Sequence, residues 1–336
     1  MMKTLDDRIK ENLEEIYVNT IVPLKDIIQF VDQYKKFKFA GAVELSDIFK
    51  NPTGAEEVIS THGLPGFFVG KRDADTVMLM LNPGQDVALA DCPITTCEKI
   101  KRGNKIGKGI NINSLNDFIS SYKIDSINYG DIDVDRPDNF DLKQAAFLKH
   151  WVGCGVHFAG FLDDDYKKLG DSKEDVDKKE EINKKAKRNV LMEKLSLDLI
   201  PYASRKFVGI NTKKIDLLFP YLETLFHEIF QKERKYVIFC SDFYNTLFQK
   251  YNAWNKGIWK IIIYKKHCTN TVLANKNAYC TPIKILQKNN GKEQKAIIAH
   301  TFPNQSLPNA YDKMEEYGSF CFDVWNNTNW NSKPIP

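Results

Sequence analysis

Thr76-Val77-Met78-Leu79-Met80-Leu81 runs without a charged side chain straight into Asn82-Pro83-Gly84-Gln85-Asp86. No other stretch narrows the possible folds as much. An apolar run of strand length without alternation marks a strand covered on both faces, as in an α/β sheet. Asn-Pro-Gly ends it sharply. Proline has no N–H for the ladder, and glycine tolerates backbone angles that other residues avoid. A polar turn at the carboxyl end of a buried strand is where open α/β proteins place their ligands. Asn82 and Asp86 stand at that mouth, suited to holding a water or taking a proton.

Three further runs carry the same character. Tyr236–Cys240 leads into Ser241-Asp242, Ile258–Tyr264 follows, and Ala296–Ala299 ends at His300. Amphipathic stretches fall between or around them. Ile9, Leu13, Ile16 and Tyr17 form one helical stripe; Leu24, Ile27, Ile28 and Val31 form another beyond Pro23. Leu218, Leu222, Leu225 and Phe226 share one face of a helix over 215–230, residues 144–161 read as helical, and 312–320 closes the chain as a helix. Strands alternating with helices predict an α/β fold, three layers deep, with a mostly parallel central sheet of about four strands. Residues 1–60 form an N-terminal helical extension, and 61–330 form the α/β domain. Residues 163–189 hold nine acidic and nine basic residues in 27 positions, so this insertion has no face to bury and is an exposed helix or partly disordered.

A chain of 336 residues is long enough for a substantial core. No apolar run reaches the length of a membrane span, and Met1–Glu15 has no signal-peptide core, so the expected location is cytoplasmic. Seven cysteines, an odd number spread over a long chain, argue against a disulfide framework. Cys92 and Cys97 are the closest pair, with no second pair at zinc spacing, so neither a metal nor another cofactor is expected. Net charge is +4, too mild to imply nucleic acid by itself. Local clustering says more. Lys99–Gly109 carries five cations, three glycines and no acid. It is a loop able to reach phosphates or simply a solvated surface, and its candidate contacts are Lys101, Arg102 and Lys105. A second basic stretch, 256–267, is centred on Ile261-Ile262-Ile263 and is first a core strand.

In a parallel sheet the polar strand ends share one edge. They are Asn82 with Asp86, Asp198 with Tyr202 and Ser204, Ser241 with Asp242, and His300 with Asn304 and Ser306. Two of these ends have the chemistry of N-glycoside hydrolysis. A carboxylate or amide holds water beneath a sugar, and a neutral histidine steadies charge on the departing base. Each residue also has a structural use. Asn82 can cap a turn, Asp86 can be a helix N-cap, and Asp198 can pair with a core Lys or Arg. His300 can be a satisfied core histidine, and Tyr202 a core ring.

Thr76–Asp86, followed far along the chain by His300-Thr-Phe-Pro-Asn-Gln-Ser306, resembles the uracil-DNA glycosylase superfamily. The first segment is similar to the water-activating loop of the Asn-Pro-Gly branches; the second resembles the histidine loop that ends the last strand, touches the base and wedges into DNA. Pro65–Gly70 is similar to less-studied bacterial members. The resemblance covers about 62–160 and 190–325. It implies Asn82, Asp86 and His300 as catalytic residues, and Gly84, Gln85, Asp198 and Tyr202 around the base. It also implies Asn304 and Ser306, with the Lys99–Lys108 loop, on the nucleic-acid backbone. Two departures stand out. Asp198 occupies the position of an amide that reads uracil, which favours a base presenting donors. The histidine loop is longer than the His-Pro-Ser pattern.

Three functions therefore follow from different classes. The first is a glycosylase-like hydrolase that flips and releases a base. The second is a nucleotide- or nucleic-acid-binding module of the same fold without catalysis, such as a sensor in a defence or regulatory system. The third is a hydrolase of small amides or glycosides, for which no Gly-x-Ser-x-Gly elbow is present.

Overall fold

The computed structural model describes residues 3–19, 39–46, 48, 66–81, 114–116, 119, 139–151, 164–202, 211–254, 256–273, 276–302 and 311–332. The first elements along the chain are α1 (Leu5–Asn19), α2 (Ala40–Ser46), β1 (Phe68–Gly70) and β2 (Thr76–Met80). Then come α3 (Asn139–Leu148), α4 (Asp164–Lys167), α5 (Lys173–Glu193) and β3 (Lys194–Asp198). A 3-10 segment (Thr212–Leu218) leads into α6 (Phe219–Ile229), β4 (Tyr236–Phe239) and α7 (Phe243–Trp254). The last elements are β5 (Trp259–Ile263), β6 (His267–Leu273), β7 (Lys276–Gln287), β8 (Glu293–Ala299) and α8 (Tyr311–Asn327).

The α/β class expected from the sequence is present, but the sheet is larger and more mixed than about four mostly parallel strands. Eight strands join in the order β1-β3-β2-β4-β8-β7-β5, with β6 also on β7. β2, β4 and β8 run parallel. β7 is antiparallel to β8, β5 and β6. The sequence hides β7 for a physical reason. Its first half buries Ala278 and Cys280, which are weak strand markers, and Pro282 cuts these off from the buried Ile283 and Ile285, at a place where a central strand needs an N–H. The fold places that proline where no N–H is required. A strand residue's N–H and C=O point to the same side, and the Pro282 carbonyl accepts from the N–H of Tyr264 at 3.0 Å. The missing N–H therefore faces residues 264–266, the break between β5 and β6.

The chain divides into two compact units, with boundaries falling inside β2 and β3. The first comprises Met1–Arg72, Met80–Ile132 and Ser196–Gln231. Its α1 starts on a capping box: Thr4 Oγ1 accepts from the Asp7 N–H, and Asp7 Oδ2 accepts from the Thr4 N–H. Ile9 and Leu13, two residues of the predicted stripe, are fully buried. The Arg8 guanidinium lies 4.0 Å from the Tyr221 ring centroid and its Nε–H donates to Thr224 Oγ1 at 2.7 Å. Arg72 donates twice to the buried Glu228 carboxylate, at 3.1 and 2.7 Å, and once to Asp6 at 2.6 Å.

The second unit comprises Asp73–Leu79, Asp133–Leu195 and Lys232–Pro336. Residues three apart on a strand point to opposite faces, and β4 uses both. Tyr236 meets Trp151, Phe322 and Trp325, so α8 and the turn after α3 cover one face. Phe239 meets Tyr244 and Phe248 of α7 on the other. α8 buries Met314, Tyr317, Gly318, Cys321 and Val324, a helical stripe. Gly318 lets α8 approach α3 closely, since a Cβ there would lie 2.0 Å from the Phe147 carbonyl oxygen. Trp151 Nε1–H donates to the Gly318 carbonyl at 2.9 Å across the same contact.

Much of the charged 163–189 segment is α5, the exposed helix of the two expected forms. Ser172 caps it, its Oγ accepting from the Asp175 N–H at 3.2 Å and donating to Asp175 Oδ2 at 2.8 Å. Most of its residues to Lys185 are exposed, and Ala186 is the first buried position. No helix among the described residues is long and apolar enough to cross a membrane.

Candidate functional site

β4 and β8 run parallel within the second unit, so their carboxyl-terminal ends share one edge. Leu79 pairs with Phe239, and Phe239 with Ile298. Two residues beyond that level on β4 and β8 are Ser241 and His300 in sequence. At this edge His300 and Asp242 hold each other by two bonds. The Asp242 N–H donates to the His300 carbonyl at 3.1 Å, and His300 Nδ1 is hydrogen-bonded to Asp242 Oδ1. The second ring nitrogen, Nε2, lies 2.7 Å from Thr281 Oγ1 on β7. The result is a continuous carboxylate–imidazole–hydroxyl chain spanning β4, β8 and β7.

Local chemistry explains why each member sits there. Ser241 caps α7, its Oγ accepting from the Phe243 N–H at 3.2 Å, which leaves Asp242 at the helix N-terminus, where a carboxylate is favoured. The His300 N–H donates to the Tyr279 carbonyl at 3.1 Å. That carbonyl also accepts the Tyr317 hydroxyl at 2.5 Å, and Tyr317 Oη in turn accepts the Thr301 N–H at 3.1 Å. The backbone of the histidine turn is thus tied to α8 and β7.

Exposure along the chain is graded. The Asp242 side chain is 69% exposed, that of His300 3%, and Thr281 as a residue 2%. Burial pushes the His300 pKa below its ordinary value, overriding the attraction of Asp242. The ring lies in the interior while the carboxylate is solvated, so water screens the attraction and not the desolvation. Lys266 adds to the same direction. Lys266 Nζ sits 4.2 Å from the Tyr279 ring centroid, on the strand next to His300. At neutral pH the imidazole is therefore uncharged. Nδ1 carries the proton toward the carboxylate, and Nε2 accepts from the Thr281 hydroxyl.

His300 was identified in the sequence as a strand-end residue, and so was Asp242, though without a catalytic role. Thr281 carries no signal in the sequence, because Pro282 interrupts the strand pattern of β7 beside it. Asp198 ends β3, partly exposed, and its N–H donates to the Phe67 carbonyl at 3.1 Å. Tyr202 has the surroundings of a core ring. It is 3% exposed, stands 6.0 Å from Phe39, and its hydroxyl donates to Asn12 Oδ1 at 3.1 Å. Burial and the neighbouring Tyr221 raise its pKa far above the ordinary phenol range. Asn82, Gly84, Gln85, Asp86, Lys101, Arg102, Lys105, Asn304 and Ser306 lie outside the described residues. Among the described residues no three His, Cys, Asp or Glu side chains gather as a metal site requires.

No protein-family model, no curated protein and no solved structure matches the chain.

Proposed function

We propose that this chain is a hydrolase of the N-glycosidic bond of a flipped base in nucleic acid, of the uracil-DNA glycosylase kind. The observation that carries the reading is the neutral, buried His300 joined to Asp242 where β4 and β8 end together. In this reading Asn82 orients the attacking water with Asp86 beside it. His300 belongs to the machinery that steadies the departing base, and Asp198 reads a base edge that presents donors. Lys101, Arg102, Lys105, Asn304 and Ser306 contact the strand backbone. No cofactor takes part, since the reaction needs only water and proton transfer. A cytoplasmic setting suits Cys240, Cys268, Cys280 and Cys321, all of them free thiols.

The competing reading is a binding module of the same fold that holds a base or nucleotide without cleaving it. The engagement of both His300 ring nitrogens favours it, because such a ring has no free N–H to offer a leaving base. Base release from single- and double-stranded oligonucleotides carrying uracil, hypoxanthine or xanthine separates the two. Release that is lost in Asn82→Ala and His300→Ala supports the hydrolase. Salt-dependent binding of the same oligonucleotides without release supports the binding module.

A further inference from the structure

We propose that Asp242 takes the proton from the attacking water, with His300 and Thr281 behind it as positioning residues. This rests on the hydrolase reading above and changes which group in the site meets the substrate.

The argument begins with access. Of the three linked groups only the carboxylate reaches solvent, at 69% side-chain exposure against 3% for the imidazole. A nucleophilic threonine at the head of the chain is excluded by its burial at 2%. The arrangement therefore works from the inside outward: hydroxyl, ring, then carboxylate facing water.

Orientation comes next. Oδ1 of Asp242 is occupied by the His300 ring, while no other hydrogen bond engages Oδ2 among the described residues. The second bond of the pair, from the Asp242 N–H to the His300 carbonyl, fixes the backbone that carries the carboxylate. An acid fixed at both backbone and side chain loses little rotamer freedom when it accepts a proton.

Charge supplies the third part. The charged groups facing His300 are Asp242, ahead of α7, and Lys266, in the break between β5 and β6. With the ring neutral, the Asp242–His300 pair keeps one net negative charge, carried on the solvent-facing carboxylate. The Thr281 hydroxyl, donating to Nε2, holds the tautomer in which Nδ1–H points at Asp242. A ring in the other tautomer would set a lone pair against the carboxylate.

The step balances without a cofactor. The O–H bond of water breaks and its proton passes to Asp242 Oδ2. The water oxygen bonds to C1′ of the sugar as the C1′–N bond breaks. That bond's electron pair leaves with the base nitrogen, which is protonated from solvent, and Asp242 returns its proton to solvent.

Single-turnover base release from uracil- and hypoxanthine-containing oligonucleotides tests the assignment in wild type, Asp242→Asn, Asp242→Glu, Thr281→Val and Thr281→Ser. Asp242→Asn keeps the acceptor for His300 and is expected to slow release about 10²- to 10⁴-fold with oligonucleotide affinity unchanged. Thr281→Val is expected to slow release about tenfold, and Thr281→Ser, which keeps the hydroxyl, to restore it. Asp242→Glu, still a carboxylate, should release base faster than Asp242→Asn and more slowly than wild type. If wild type releases base and Asp242→Asn stays within threefold of it, the assignment is overturned and the hydrolase reading stands. If wild type releases neither base, the hydrolase reading falls and the assignment falls with it.

Discussion

Gly318→Ala should loosen the packing of α3 against α8 although alanine is the better helix former. In an open helix the exchange stabilises by about 1 kcal/mol. Here the new Cβ would lie 2.0 Å from the Phe147 carbonyl oxygen, 2.7 Å from its carbonyl carbon and 2.8 Å from its Cα. All three are backbone atoms of α3, so no side chain can turn aside. Reaching even a tight 3.0 Å requires the helices to separate by about 1 Å, which costs about 1–3 kcal/mol or more in an overpacked interior. The same separation stretches the 2.9 Å bond from Trp151 Nε1 to the Gly318 carbonyl and puts about 1–3 kcal/mol of buried hydrogen bonding at risk. Net destabilisation is about 2–4 kcal/mol, a fall in Tm of roughly 5–15 °C for a unit of this size. Differential scanning calorimetry reads it directly, and Trp151 fluorescence reports the local change. A variant with wild-type or higher Tm would refute the close-approach argument. The effect should extend to the candidate site, because Tyr317, the preceding residue, holds the Tyr279 carbonyl and the Thr301 N–H.

Two other outcomes follow from the same physics. Arg72→Met removes the guanidinium from a Glu228 side chain that is only 4% exposed, and urea unfolding should show a loss of about 3–5 kcal/mol, much of it recovered by adding Glu228→Gln. His300, with a native pKa below the ordinary 6.5, binds fewer protons folded than unfolded, so stability should rise with pH from that lowered value up to about 6.5 and add nothing further above it; in urea titrations at several pH values, His300→Gln should remove this part of the slope.

Continuous apolar runs disclosed β2, β4 and β8, because a strand buried on both faces leaves an unbroken hydrophobic signature. Periodic stripes disclosed α1, α6 and α8 for the same reason. β7 is hidden because a mid-strand proline separates its alanine and cysteine half from Ile283 and Ile285, and β6 because His267-Cys-Thr-Asn-Thr271 carries no apolar run. The omission propagated to the site. His300 and Asp242 each stood out as polar residues after buried strands, and the parallel order of β4 and β8 was enough to suggest that they share an edge. That they bond to each other depends on register, which a sequence does not specify. Thr281 depends on β7, a strand that the sequence does not announce. Tyr202 illustrates the opposite error of emphasis: an aromatic beside a strand end invites a stacking role, whereas its hydroxyl and ring are both committed to α1 and Phe39.

α5 passes into β3 without an intervening residue, Glu193 ending one and Lys194 beginning the other. The junction has no slack, so any change in helix length must be absorbed on the amino-terminal side. Each added residue would turn the preceding helix by about 100° and advance it by about 1.5 Å. Ahead of Asn183, which donates to the Tyr166 hydroxyl at 3.2 Å, that rotation has little to disturb, because most side chains there are exposed. At Ala186 it would move a buried side chain. The first three turns of α5 are thus a place where this chain can lengthen, shorten or accept an inserted peptide while the strand it feeds keeps its phase.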